Sequence, residues 1–450
     1  MAVSTRAGPR VERASPADLM QLATDVGPAP MNVGAVLVLD PVPGFTAVAA
    51  ERLLAERIES VPRLRQRLRR APLGCGRPYW ADDAGFDMRQ HVRFRDCPEP
   101  GDERALLDVA AAVLTERLPW SRPLWSATIV SGLTGGSTGL VLVMSHVLAD
   151  GVGGLAVLAR LADGTSALAP PVRPAERFPI APPGLRTLAA DAWAGRVRGL
   201  THPGITLRMI RQGVAELGGG RQSRRMRRTS LNRPVGPQRR FDVIAADLGA
   251  IRDLGHARGG TVSDVLAAAE AGALNALLAS RGERLDQVTL SMPVSARRVT
   301  SAGQLGNQVG VMPVTLPAAD DLMARVPLVA AITHERKLAA RGTSAVLLGP
   351  VFRLLALTGL LRWLIDRQRQ IHAFATYLHG PSELLSFAGA PVTALIPLVG
   401  VAGNVPVSFV ALSYGGTLRI TVVSDPGRVP DVAVLTSGLR RDLADATRHS

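Results

Sequence analysis

The sequence predicts a mixed α/β protein built as two domains. A chain of 450 residues exceeds what one ordinary core holds. Short apolar runs of strand length alternate with longer stretches of helical period. Hydrophobic residues make up 47% and charged residues 20%, a balance that suits a large buried interior.

In chain order, Ser15-Pro16-Ala17-Asp18 reads as a helix start, with Ser15 as N-cap and Pro16 at the first helical position. A strand follows over 33–40 and a helix over 46–60. The arginine run 63–70 reads as a solvated helix end, with contact to a lipid or a phosphate-bearing ligand as the sharper alternative. Residues 102–118 are helix-like and lead into Arg122-Pro123-Leu124-Trp125. Strands are expected over 126–131 and 138–144, and a helix over 152–161.

A composition shift near Asp163 marks the end of the first domain, and the Pro/Ala-rich stretch 170–183 reads as a linker. The expected division is 1–180 for the first half, 181–238 for a basic helical crossover and 239–450 for the second half. The crossover holds helical periodicity over 185–217, a Gly218-Gly219-Gly220 break and the basic tract 221–228. In the second half, strands are expected over 241–248, 288–293, 309–316, 392–401, 407–413 and 418–423, the last two joined by a hairpin at 414–417. Residues 261–280 form an alanine-rich helix. Residues 345–365 are almost wholly apolar, with an interruption expected at Gly349-Pro350. A buried helix and an interfacial helix lying on a membrane both fit that stretch.

The net charge of +15 is carried almost wholly by arginine, since Lys337 is the only lysine. Such a surface favours anionic partners. Aromatics at 4% and the lack of a helix-turn-helix, zinc pattern or basic–aromatic interleave argue against nucleic acid. Cys75 and Cys97 give no metal spacing, and a reducing compartment fits them. The first ten residues have no apolar core, so no secretory signal is read there, and no uncharged apolar run reaches spanning length. A cytoplasmic location with peripheral membrane association is the expectation.

The chemistry centres on Ser145-His146-Val147-Leu148-Ala149-Asp150-Gly151. His146 falls between a buried strand and a glycine turn that opens a helix. An imidazole there titrates near pH ~6.5 when unperturbed and accepts a proton at neutral pH. A strand-end histidine satisfied by backbone groups is the plainer reading of the same residues.

Several segments, in this order and spacing, resemble the bacterial wax ester synthase/diacylglycerol acyltransferase family, within the superfamily of CoA-dependent acyltransferases and condensation domains. They are Ser15–Asp18, Pro30–Gly34, Arg122-Pro123-Leu124-Trp125, Ser145–Gly151, Ser230–Asn232 with Arg239-Arg240, Thr261–Ala267, Met292–Arg297, Gly306–Gly310, Ser413-Tyr414-x-Gly416 and Val429–Asp431. Three departures stand out. Ser145 occupies the first histidine of the family's His-His-x-x-x-Asp-Gly motif, Ser263 replaces an asparagine, and Tyr377-Leu378-His379-Gly380-Pro381 replaces Asn-Val-Pro-Gly-Pro.

The resemblance implies two chloramphenicol-acetyltransferase-like domains of α/β (α+β) class, each a mixed sheet flanked by helices, with a channel between them. It implies O-acyl transfer from acyl-CoA to a long-chain alcohol or diacylglycerol at an anionic membrane or lipid-droplet surface. His146 would be the general base, and no metal, cofactor or acyl-enzyme would be needed. Asp150 would be structural, with Arg297 as its partner. Ser295, Asn307 and backbone amides near Gly151 are the oxyanion or channel candidates. Another lipid or polyketide hydroxyl as acceptor, or a catalytically silent lipid-binding relative, remains as an alternative.

Overall fold

The computed structural model describes residues 11–163, 178–201, 211, 227–295, 309–318, 321–339 and 344–448. Two sheets of six strands organise it. The strands are β1 (Asn32–Leu39), β2 (Gln66–Arg69), β3 (Tyr79–Asp82), β4 (Val92–Asp96), β5 (Trp125–Ser131), β6 (Thr138–Ser145), β7 (Arg240–Asp247), β8 (Gln287–Ser295), β9 (Val309–Pro317), β10 (Ala373–His379), β11 (Ser386–Phe387), β12 (Ala390–Val399), β13 (Val407–Tyr414) and β14 (Thr417–Ser424). The first sheet runs β11-β12-β1-β6-β5-β4 and the second β7-β14-β13-β10-β8-β9, so both are mixed.

The expected second half does begin a new sheet at β7. It does not stay on its own side, however, because β11 and β12 return to the first sheet, where β12 pairs antiparallel with β1. Tyr414 fastens this crossover. Its hydroxyl donates to the Val392 carbonyl at 2.8 Å and accepts from the Leu385 amide at 2.7 Å. Strand pairing between segments over 350 residues apart leaves no local trace in a sequence.

Packing follows strand alternation. Leu37, Leu140, Leu142 and Met144 face a core shared with the helices Ala47–Ile58 and Gly151–Leu161. Val36, Val141 and Val143 face the opposite way, joining Phe241, Val410 and Val423 of the second sheet and the helix Glu103–Thr115. The two sheets therefore share one core cluster. The helix Val262–Ser280 covers the other face of the second sheet. It is the one helix among the described residues with the length and mean hydropathy of a membrane span, but it carries Asp264 and Glu270, so the sequence reading of no uncharged apolar run of that length stands, and 72% of its apolar window is buried in the protein. It is a core helix.

Three local expectations change. The arginine run is not a solvated helix end: it spans the 3-10 turn Pro62–Arg65 and then β2, which pairs with β3. Arg63 and Arg65 are buried, with guanidinium groups 4.1 Å from the Trp80 ring centre and 4.0 Å from that of Phe178. A delocalised cation that stacks on aromatic faces tolerates burial that lysine would not. The apolar stretch breaks at Gly359, with φ of 73°, while Pro350 lies inside the helix Ser344–Leu357. A second helix, Leu360–Ile365, follows the break. The periodicity over 185–217 is described only as the helix Leu185–Thr201, and most of the basic tract, including Arg221, Arg224 and Arg225, lies outside the described residues.

Ser15 caps its helix as expected, accepting from the Asp18 amide while Asp18 accepts from the Ser15 amide. Cys75 and Cys97 are buried free thiols.

Candidate active site

β6 ends at Ser145, buried at the middle of the first sheet, and His146 begins the turn. Backbone contacts fix the turn from both neighbouring strands. The His146 amide donates to the Met31 carbonyl at 2.9 Å, just before β1. The Ser145 amide donates to the Leu124 carbonyl at 2.9 Å, just before β5. The Leu148 amide then closes back onto the Ser145 carbonyl at 2.8 Å. Val147, Leu148 and Ala149 point into the core, whereas His146 is half-buried. The loop is thus anchored on its apolar residues and leaves His146 partly open.

The flanking motifs supply these anchors. In Pro30–Gly34, Met31 holds His146, and the Asn32 amide group donates to the Leu114 and Glu116 carbonyls, closing the end of the helix Glu103–Thr115. Gly34 is required by close approach, since a Cβ there would lie 2.3 Å from the Leu142 carbonyl oxygen. In Arg122–Trp125, Leu124 holds Ser145, and the buried Trp125 indole donates to the Leu64 carbonyl at 2.7 Å. His91 stacks on Trp125 with ring centres 4.4 Å apart, and its Nδ1 donates to the Trp125 carbonyl. Burial holds the His91 pKa below the ordinary imidazole value, which makes it a structural neutral ring. Met31 and Leu124 act through backbone carbonyls, so sequence reasoning had no side-chain signal to find them by.

Asp150 is 1% exposed and is the N-cap of the helix Gly151–Leu161. Its Oδ1 accepts from the Gly153 amide at 2.8 Å, and its carbonyl accepts from the Gly154 amide at 2.7 Å. Capping of this kind was legible in Asp150-Gly151 preceding an apolar helix. It commits the Gly153 and Gly154 amides, which removes them as oxyanion donors. Arg297, the expected partner of Asp150, and Asn307 lie outside the described residues.

Gly151 touches the second half of the molecule. A Cβ at that position would meet Leu378 of β10 at 2.9 Å. β10 runs parallel to β8 from the pairing Phe374↔Ser291, and Leu378 and Ser295 are each four residues further on. The C-terminal end of β10 therefore meets the start of the helix Gly151–Leu161, just after the His146 turn, and Ser295 stands at the end of the neighbouring β8. The departure Tyr377–Pro381 lies on the same edge. Gly380 is packed against the Ser413 carbonyl oxygen, which a Cβ would approach to 2.3 Å. Tyr377 packs into the second core with its ring centre 5.0 Å from that of His379, and burial raises its phenol pKa.

Three of the remaining segments make structural contacts. Asp264 accepts from the Thr261 amide and hydroxyl in a capping box. Ser263, beside it, is half-buried. Asp431 pairs with Arg281, whose hydrogen bond lowers the carboxyl pKa. Arg239 is buried and donates to the Gly236, Gln238 and Val401 carbonyls, and burial brings its pKa to about 10. No group of three or more His, Cys, Asp or Glu suited to a metal occurs among the described residues.

Comparison with known proteins adds a lineage to this geometry. The wax ester synthase/diacylglycerol acyltransferase catalytic-domain model matches residues 14–266, and the corresponding C-terminal-domain model matches residues 305–446. A probable diacylglycerol O-acyltransferase of Mycobacterium tuberculosis is 27% identical over 438 residues, covering 92% of this chain and 90% of its own. Another from that organism, a putative diacylglycerol O-acyltransferase, is 30% identical over 325 residues, covering 68% of each chain. Among solved structures, the wax ester synthase/diacylglycerol acyltransferase of Marinobacter aquaeolei superposes with a TM-score of 0.68 at 21% identity, covering 97% of this chain and 99% of that one. A starter condensation domain of rhizomide synthetase in complex with C8-CoA superposes with a TM-score of 0.65 at 17% identity, covering 97% and 94%.

Proposed function

The chain belongs to the wax ester synthase/diacylglycerol acyltransferase family and is an acyltransferase, and we propose that it moves a long-chain acyl group from acyl-CoA to a long-chain alcohol or diacylglycerol, with His146 as general base. The observation that carries this reading is the His146 turn. It is held at Met31 and Leu124 from both neighbouring strands, His146 is half-buried, and Gly151 at the end of the motif packs against Leu378 of β10.

In this mechanism His146 takes the acceptor hydroxyl proton as that oxygen attacks the thioester carbonyl. The carbonyl π electrons move onto oxygen, giving a tetrahedral oxyanion. Its collapse breaks the carbon–sulfur bond and expels the CoA thiolate, which recovers the proton from the imidazolium. The ester and free CoA account for every atom, and no acyl-enzyme forms. A positioned base contributes roughly 10²–10⁴-fold. The Gly151 and Val152 amides and Ser295 are the candidates for oxyanion contact.

The lipid substrates are to be met at a surface. Val351, Leu354, Leu357, Leu360 and Trp363 are all at least half exposed on the helix pair Ser344–Leu357 and Leu360–Ile365. Arg353, Arg362 and Arg367 lie among them, so the occupant that fits is an anionic lipid surface. Arg227 and Arg228, the described end of the basic tract, are exposed.

The test is to incubate purified protein with labelled palmitoyl-CoA and a panel of alcohols, diacylglycerol and other lipid hydroxyls, then identify the ester formed. Transfer that survives His146→Ala undiminished would remove His146 from the mechanism. Ester formation on an acceptor outside the first two classes would redirect the reading to that acceptor.

A further inference from the structure

A cleft of about 740 Å³ lies where the N-terminal segment, the crossover helix and a helix of the second half meet, lined by Arg13, Arg77, Arg196, Arg198 and Arg353, with Asp191 as the one acid in its lining. These residues come from four separate stretches: the N-terminal segment, the β2–β3 hairpin tip, the helix Leu185–Thr201 and the helix Ser344–Leu357. None belongs to the His146 turn or to its anchors.

The arginines divide by commitment. Arg13 is spent on structure. Its Nε pairs with Asp191 at 2.9 Å, and its other nitrogens donate to the Arg77 and Leu188 carbonyls. It thereby ties the hairpin tip to the helix. Gly76 completes that join. It has a φ of 91°, and a Cβ there would sit 3.1 Å from that of Ala192 and 3.3 Å from an Arg13 nitrogen. Arg196 gives one nitrogen to the Gly74 carbonyl. The Arg77 and Arg353 guanidinium groups, by contrast, make no hydrogen bond or ion pair among the described residues. Since Asp191 is already paired with Arg13, the cleft holds an excess of positive charge.

We propose that this cleft is a phosphate-binding site, in which the Arg77 and Arg353 guanidinium groups, brought in from the hairpin and from the apolar helix, grip a phosphomonoester or phosphodiester. A guanidinium presents a planar fork of donors that matches two phosphate oxygens. A volume in the range of ordinary ligand clefts admits more than a lone ion. The cost of gathering like charges points the same way. Desolvation first, and then Arg13 and Arg353, lower the Arg77 pKa, against the opposing pull of Asp18 and Asp191. A bound polyanion removes that repulsion. The phosphate could come from a soluble nucleotide or from a phospholipid headgroup, and the same chemistry serves both.

The experiment uses the full chain and two probes. Adenosine 3′,5′-bisphosphate is titrated calorimetrically at low and high salt, and vesicles of phosphatidylglycerol or phosphatidylcholine are sedimented with the protein. Both probes report binding, so a chain that transfers no acyl group still tests the cleft, and His146→Ala serves as the control that keeps it. Arg77→Gln with Arg353→Gln should weaken at least one probe by ~10-fold or more, and Lys at both positions should recover part of the loss. Loss of bisphosphate binding assigns the cleft to a soluble phosphate ligand. Loss confined to phosphatidylglycerol vesicles assigns it to a lipid headgroup. Equal binding of both probes by wild type and the double Gln variant, or binding of neither by wild type, overturns the site.

Discussion

Two largely buried strands end on polar side chains, one in each sheet, and the ends differ. β6 runs into Ser145 and His146, while β13 runs through Ser413 to Tyr414. Tyr414 is 1% exposed, and its hydroxyl both donates and accepts, spanning Leu385 and Val392 of the strands that cross between sheets. His146 is half-buried, and the turn is held through main-chain groups around it rather than by burying the ring. A strand end alone therefore does not make a reactive position. What distinguishes them is burial: the Tyr414 ring lies wholly inside the fold, whereas His146 keeps part of its surface open.

The largest expected effect separates the two ends directly. His146→Ala should lower acyl transfer by ~10²-fold or more while leaving the thermal midpoint near wild type, because the turn is fastened to Met31 and Leu124 through main-chain groups that the substitution keeps. Initial rates and a melting curve on the same preparation suffice. If the midpoint falls and the rate does not, the assignment of the two ends is reversed.

Tyr414→Phe should behave in the opposite way. It leaves the Leu385 amide and the Val392 carbonyl without their hydroxyl partner, a loss of about 1–3 kcal/mol of stability. Denaturant titration reads it, and turnover per folded molecule should change little. Unchanged stability would mean that the crossover strands hold without this strap.

The same contrast extends to a carboxyl in the second core. Glu270 is 2% exposed, forms no hydrogen bond among the described residues, and is held well above the usual carboxylate range by burial. With a raised folded pKa, the native state keeps its proton where the unfolded chain has lost it. Stability is therefore full below the unfolded pKa and falls as pH rises toward the folded one. Glu270→Gln should flatten that slope, raising the melting midpoint at about pH 8 and barely changing it at about pH 4. A wild-type slope that persists in the variant would place its origin elsewhere.

Asp150→Ala removes a cap and should cost about 1 kcal/mol through the helix Gly151–Leu161. Some activity should go with it, since the helix start adjoins the His146 turn. A substantially larger loss, measured by denaturant titration, would indicate that Asp150 supports more than its helix.

Much of this was legible in the sequence. The strands β1, β5, β6, β13 and β14, the Ser15 cap and the position of His146 follow from local pattern, because alternation and capping are written in neighbouring residues. What escaped depends on distant partners. Arg63 and Arg65 read as solvated charge until Trp80 and Phe178 are placed over them. The return of β11 and β12 to the first sheet depends on pairing across the whole chain. The anchors at Met31 and Leu124 are carbonyl groups, which every residue has. The arginine cleft is assembled from stretches that look like unrelated surface charge in one dimension.

The smallest effect concerns the residue that β6 places just before the proposed base, His146. Ser145 is 6% exposed, stands opposite Asn32 in the sheet, and its hydroxyl lies 3.4 Å from the Val147 amide, a weak contact. Ser145→His, the residue of the family motif, has to fit an imidazole into this buried position, at a cost of about 1–3 kcal/mol if the neighbours do not yield. The main-chain bonds from Ser145 to Leu124 and from Leu148 to Ser145 do not depend on the side chain, so the turn should keep its shape and the variant should fold and turn over. What should move is selectivity. A second imidazole beside His146 changes both the volume and the hydrogen-bonding groups near the acceptor oxygen. The ratio of long-chain alcohol to diacylglycerol esterified, measured in competition within one reaction, should therefore shift by a factor of a few. An identical ratio at wild-type turnover would make Ser145 a neutral occupant of its strand end, leaving His146 as the only polar side chain there with chemical consequence.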